Sequence, residues 1–84
     1  MTWNYRVVRW RGGRRPQFGI SAVFYRRSGK VKEWTDADLG APVPRGKTLD
    51  DLAEDLHFML AALDQPVLEE RDGTLVPLSL PEAP

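Results

Sequence analysis

The side chains equipped for chemistry are few, and their spacing assembles no reaction centre. The chain has one histidine, His57, and no cysteine. A histidine acts as a general base only with a nucleophile or carboxylate held beside it. His57 lies roughly 80 to 100° from the centre of the apolar stripe of its own segment, on the flank of a helix. Ser21, Ser28 and Ser79 stand in no G-x-S-x-G elbow or similar setting. Two acidic groups, Asp36 with Asp38 and Asp50 and Asp51 with Asp55, are the candidates for a hard cation. The acidic loop lacks the D-x-D-x-D-G…E spacing that wraps calcium, and aspartates at a helix start usually serve as caps. Gly12-Gly13 and the run from Gly40 to Gly46 fit no phosphate-cradling loop. The expectation is a protein without catalytic, cofactor-binding or metal-ligating residues, and not an enzyme.

Charge is the stronger signal. Residues 1–32 carry nine basic side chains (Arg6, Arg9, Arg11, Arg14, Arg15, Arg26, Arg27, Lys30, Lys32) and no acid. Residues 33–84 carry all twelve acids against Arg45, Lys47 and Arg71, so a net charge of zero hides a basic half joined to an acidic half. Such asymmetry speaks to association and steering, not to fold. No apolar run approaches the ~20 residues of a membrane span, and no basic region followed by an apolar stretch opens the chain. A cytoplasmic protein without a membrane partner is expected, and the absence of cysteine agrees with that compartment.

The elements that must position these residues are led by the segment from Thr48 to Leu63. Leu49, Leu52, Ala53, Leu56, Met59, Leu60 and Leu63 fall on one stripe of a 3.6-residue helix. Thr48 is its expected N-cap, with Asp50 and Asp51 in the positive first turn, and Pro66 stops it. Before it lie three segments of strand character: Trp3 to Arg11, Gln17 to Arg26 and Val31 to Thr35. Ser28-Gly29 is read as a two-residue turn pairing Tyr25 with Lys32, and Asp72-Gly73 as a hairpin pairing Arg71 with Thr74 and Glu69 with Val76.

The expected fold is α+β: an antiparallel sheet of three to four strands with one amphipathic helix packed on one face, in the order β-β-β-α-β. A single domain over residues 1–70 would be followed by a C-terminal hairpin arm and frayed tail over residues 71–84. The expected core is Tyr5 or Val8, Phe18, Ile20, Ala22, Phe24, Val31 or Trp34, Leu49, Leu52, Leu56, Met59, Leu60, Leu63 and Val67. Leu56→Ala is then expected to cost about 2 to 5 kcal/mol.

Two surfaces are candidates for binding. Phe58 lies about 180° from the apolar stripe, in line with Asp55 and Ala62 and beside Ala61. These four residues form the expected platform for self-association or a protein partner. The alternative is nucleic acid, held by Arg11, Arg14 and Arg15 at one end of strand two and by Arg26, Arg27 and Lys30 at the other. Tyr5, Trp10 or Tyr25 would then offer stacking faces. The two clusters stand roughly 25 to 30 Å apart. A homodimer is the preferred state.

The run Arg45-Gly46-Lys47-Thr48-Leu49-Asp50-Asp51-Leu52, after three strands and before a short one, resembles the N-terminal domain of HicB-type antitoxins. There a G-x-T-x-x-x-A/L pattern begins the helix that packs on a three- or four-stranded sheet, a shortened RNase H-like arrangement without catalytic carboxylates. Gly46, Thr48, Leu49 and Leu52 carry the resemblance, which covers about residues 3 to 70. The wider pattern Y-R-V-V…W-T-D…P-x-G-x-T…D-L-x-x-M-L-x-A-L…P-V-L is similar to short bacterial proteins of this length that remain uncharacterised. The resemblance implies a module that oligomerises and binds a small toxin through its sheet or helix. Its architecture and interaction role carry over, and DNA binding does not.

Overall fold

The computed structural model describes residues 2–12, 15–36 and 40–78. Two long strands, β1 (Thr2–Gly12) and β2 (Arg15–Tyr25), pair antiparallel along their whole length, with Thr2 opposite Tyr25 and Gly12 opposite Arg15. Strand β3 (Val31–Trp34) follows, then helix α1 (Leu49–Ala61), a 3-10 turn (Ala62–Asp64), β4 (Leu68–Arg71) and β5 (Thr74–Pro77). The sheet has five strands in the order β3-β2-β1-β4-β5.

The class is α+β, as the sequence predicts, but the sheet is mixed and larger than expected. Strand β4 runs parallel to β1, through Val8 with Leu68 and Arg9 with Glu69. A parallel neighbour requires a crossover, and the loop and helix between β3 and β4 supply it. Strand β5 joins the same sheet through β4, so residues 74–77 complete an edge. The expected frayed tail lies outside the described residues.

The Asp72-Gly73 turn forms as its sequence dictates. Both residues take positive φ, 52° and 77°, and Arg71 faces Thr74. The other turn differs. Gly29 has φ 90°, Arg26 N donates to Lys30 O at 2.7 Å, and Tyr25 stands opposite Val31 instead of Lys32. A bulge between Phe24 and Tyr25 absorbs the shift.

Both faces of the sheet hold a small core. On the helix side Tyr5, Val7 and Ala22 pack with Ala62, bordered by Ile20, Phe24, Met59 and Val67. On the other side Val8, Val23, Leu68 and Leu75 pack together under Tyr25, Val31 and Trp34. Ser21 is fully buried there, its hydroxyl donating to Thr35 O at 2.8 Å. The expected core is corrected at five positions: Phe18, Leu49, Leu56, Leu60 and Leu63 are exposed. Phe18 stands opposite Arg9, the β1 residue that also pairs with Glu69 of β4, and stays exposed at that end of the sheet.

The Gly46–Thr48 run has a structural reason. A Cβ at Gly46 would collide with the Leu52 amide nitrogen and stand 2.7 and 2.8 Å from two Asp51 carbons. Thr48 caps α1, its hydroxyl accepting from Asp51 N at 3.1 Å. The loop therefore folds back tightly against the first helical turn.

Candidate interaction surface

Helix α1 meets the sheet through a narrow face. Leu52, Asp55, Met59 and Ala62 are its shielded positions, and Ala62 alone is fully inside. Their spacing centres the contact about 100° from the line through Leu49, Leu56, Leu60 and Leu63. Those four leucines are 84%, 47%, 63% and 66% exposed. The apolar stripe is wider than the face that meets the sheet, and only its edge is used.

A polar bond accounts for the rotation. Tyr5 OH donates to Asp55 Oδ1 at 2.7 Å, and Arg45 N donates to Asp55 Oδ2 at 2.9 Å. Asp55 thus joins β1, α1 and the loop before it. Burial, then the bond to Asp55, pushes the Tyr5 hydroxyl up to about 12. The same bond, with the Arg45 amide, holds Asp55 below its ordinary value against a smaller opposing effect of burial. Small Ala62 then lets the end of the helix sit directly on Tyr5, Val7 and Ala22.

The expected platform of Phe58, Ala61, Ala62 and Asp55 is therefore corrected in part. Ala62 is in the core and Asp55 is engaged, because this face is turned toward the sheet and not away from it. Phe58 and Ala61 remain at its margin. With Trp3, Asn4, Tyr5 and Gln65 they line an open cavity of about 450 Å³. Trp3 stands edge-on to Tyr5, their ring centres 5.1 Å apart.

The basic side chains do not converge. Arg15 lies near the hairpin tip and is exposed, while the side chain of Arg11 and all of Arg14 fall outside the described residues. Arg26, Arg27 and Lys30 are exposed at the opposite end of β2. There Arg26 and Arg27, with Lys32, Thr2 and Tyr25, border an open depression of about 490 Å³. Arg6 is used internally, its guanidinium donating to Pro66 O at 2.6 Å and to Tyr25 OH at 3.3 Å.

The polar side chains singled out for chemistry stand apart among the described residues. His57 is exposed on the helix, and the Ser21 hydroxyl is spent on Thr35. Among the described residues no three His, Asp or Glu side chains come together to hold a metal ion. No helix among them is long and apolar enough to cross a membrane. The chain matches no protein-family model, no curated protein and no solved structure.

The leucines are the functional candidates that periodicity alone misassigned to the core. Their spacing held a usable signal. Leu49, Ala53, Leu56, Leu60 and Leu63 follow one another by four, three, four and three residues, the step of a seam between helices.

Proposed function

We propose that this protein is a non-enzymatic protein-interaction module whose docking element is the outer face of α1, and that it acts as a self-associating unit that also receives a protein partner. The observation that carries the reading is a row of four exposed leucines, three on the capped helix α1 and Leu63 in the 3-10 turn that continues it. A monomer rarely leaves so continuous an apolar strip in water, and such strips mark interaction sites. The run β-β-β-α-β within the observed order β-β-β-α-β-β, with the tight Gly46–Thr48 entry to the helix, is what supports a likeness to the HicB N-terminal domain, while the added strand β5 and the parallel β4 depart from it. A small toxin is the partner class which that likeness suggests. Leucine-methyl spectra test the reading: the signals of Leu49, Leu56, Leu60 and Leu63 shift on concentration or on adding a partner, while those of buried Leu68 and Leu75 stay. Shifts confined to other surfaces count against it.

The second reading is nucleic-acid binding at the Arg26, Arg27 and Lys32 depression, favoured by the exposed cations beside Tyr25. It requires copurified nucleic acid, seen as a raised ratio of absorbance at 260 to 280 nm, that salt strips away. Protein that purifies free of nucleic acid and binds none at low salt removes this reading.

A further inference from the structure

We infer that the aromatic cleft on the flank of α1 opposite the leucine row binds a basic peptide segment, which lays an arginine side chain against Phe58 beside the carboxylates of Asp51 and Glu54. The cleft is separate from the leucine row, so either surface can be refuted without the other.

The cleft begins with three rings. Phe58 lies about 80° from the helix face that meets the sheet, on the side away from Leu56 and Leu60. Trp3 and Tyr5 stand beside it on β1. Among the described residues the ring contacts of Trp3 are with Tyr5 and Phe24, centres 5.1 and 6.1 Å apart, and not with Phe58. Trp3 and Phe58 both remain exposed, so each keeps ring surface in water. Two open depressions share these three residues. One is the cavity of about 450 Å³ toward Ala61 and Gln65, and the other, of about 380 Å³, opens toward Asp51 and Glu54.

Charge selects the occupant. Asp51, Glu54 and Phe58 follow one another by three and four residues, which sets both carboxylates on the face of the helix that carries the ring. The helix dipole accounts for acids in the first turn, Asp50 and Asp51, but Glu54 lies beyond it. Among the described residues neither the Asp51 nor the Glu54 carboxylate has a hydrogen-bond or ion-pair partner. Asp55 and Arg45 border the same depression, so three carboxylates stand against one guanidinium. An anion is repelled there, and a purely apolar group would strip water from the carboxylates without replacing it. A cation on an apolar stem meets both demands: the rings and carboxylates attract its head, and its methylene groups lie on the rings. Arginine suits the site better than lysine, because a planar guanidinium stacks on a ring while its edge donates to carboxylates.

Length selects a peptide over a small free cation. The helix-side residues of the two depressions centre near Asp55 and near Ala62, about 10 Å apart along the axis. That is the span of about three extended residues. The arginine fills only the acidic depression, and the one beside Ala61 takes an apolar side chain of the same segment.

The test is titration of the full chain with a blocked peptide carrying one leucine and one arginine separated by two glycines. Proton–nitrogen spectra report it, since the indoles of Trp3, Trp10 and Trp34 give separate signals. The Trp3 signal should shift saturably with a midpoint below about 1 mM, while Trp10, Trp34 and the methyl signals of Leu56 and Leu60 stay. Phe58→Ala and Glu54→Gln, both at exposed positions, should each weaken binding by about threefold to tenfold with circular dichroism unchanged. Glu54→Gln removes charge without removing packing, so it tests the site independently of the ring. Replacing the peptide's arginine by glutamine should weaken binding at least as much, and added salt should weaken the arginine peptide alone.

A glutamine peptide that binds as tightly as the arginine peptide overturns the inference, because charge then selects nothing. Arginine amide that binds as tightly as the whole peptide overturns it in favour of a small free cation. An unmoved Trp3 signal at several millimolar peptide overturns it outright. Shifts confined to the leucine methyls also overturn it, while leaving the leucine row as the docking surface of α1.

Discussion

Replacing Leu60 by alanine separates the two possible settings of the helix by a measurable amount. Full burial of a leucine contributes about 1.5 to 3 kcal/mol. Leu60 keeps 63% of its surface in water, so the third that it buries contributes about 0.5 to 1 kcal/mol. No cavity forms, because the position opens to solvent, and alanine is the better helix former. Val23 is the internal standard, being fully buried between β1 and β3. Val23→Ala removes two methyl groups and leaves a void, costing about 2 to 3 kcal/mol. Urea unfolding at submicromolar concentration, followed by the fluorescence of Trp3, Trp10 and Trp34, reads both. Leu60→Ala should cost well under half of what Val23→Ala costs. At higher concentration the gap should narrow, because association stabilises the wild type by mass action and the Leu60 variant less. A Leu60→Ala cost of about 3 kcal/mol or more at submicromolar concentration would refute the reasoning, since only a leucine packed on the sheet can lose that much.

Other outcomes follow from the same geometry. Gly46→Ala should destabilise by about 1 to 3 kcal/mol, because the added methyl meets backbone that cannot step aside, and thermal unfolding reads the loss. Thr48→Ala should cost about 1 kcal/mol by removing the bond to Asp51 N, with the loss seen as earlier fraying of α1 in hydrogen exchange. Stability should decline at both ends of the pH scale through one bond. The Tyr5 hydroxyl is raised in the folded state, so its contribution is complete below pH 10 and is lost as pH rises through about 12. Asp55 is lowered, so its contribution is complete above its ordinary value of 3.8 and is lost as pH falls through its folded value. Tyr5→Phe should flatten both limbs of a melting-temperature profile against pH; a profile identical to wild type contradicts the assignment.

The strands, the cap and one turn were legible because each depends on residues close in sequence. Thr48 caps whatever the helix packs on, and Asp72-Gly73 turns whichever strands flank it. The parallel placement of β4 was not legible. It depends on which edge of the hairpin the chain returns to, and nothing local in Val67 to Arg71 distinguishes β1 from β3 as a neighbour. The helix orientation was misread for a definite reason. A 3.6-residue stripe states which residues are apolar, not which part of the stripe the chain covers itself. The choice among them was made by Tyr5, fifty residues away, whose hydroxyl reaches Asp55 and draws an otherwise polar position inward. The four-three step within the stripe was present in the sequence, but it gains meaning only once the sheet is known to cover Leu52 and Met59. The basic residues read as two separate clusters, and the hairpin register keeps Arg15 and Arg26 at opposite ends of β2.

Since the chain contains no cysteine, a single Leu60→Cys thiol reports directly on what covers the outer face of α1. Its rate of alkylation, measured across a dilution series, is the most direct test of α1 as a docking surface. The account predicts rapid reaction at submicromolar protein and marked protection as the concentration rises through the micromolar range. Slow reaction at every dilution would contradict it, placing the leucine row inside the chain's own fold.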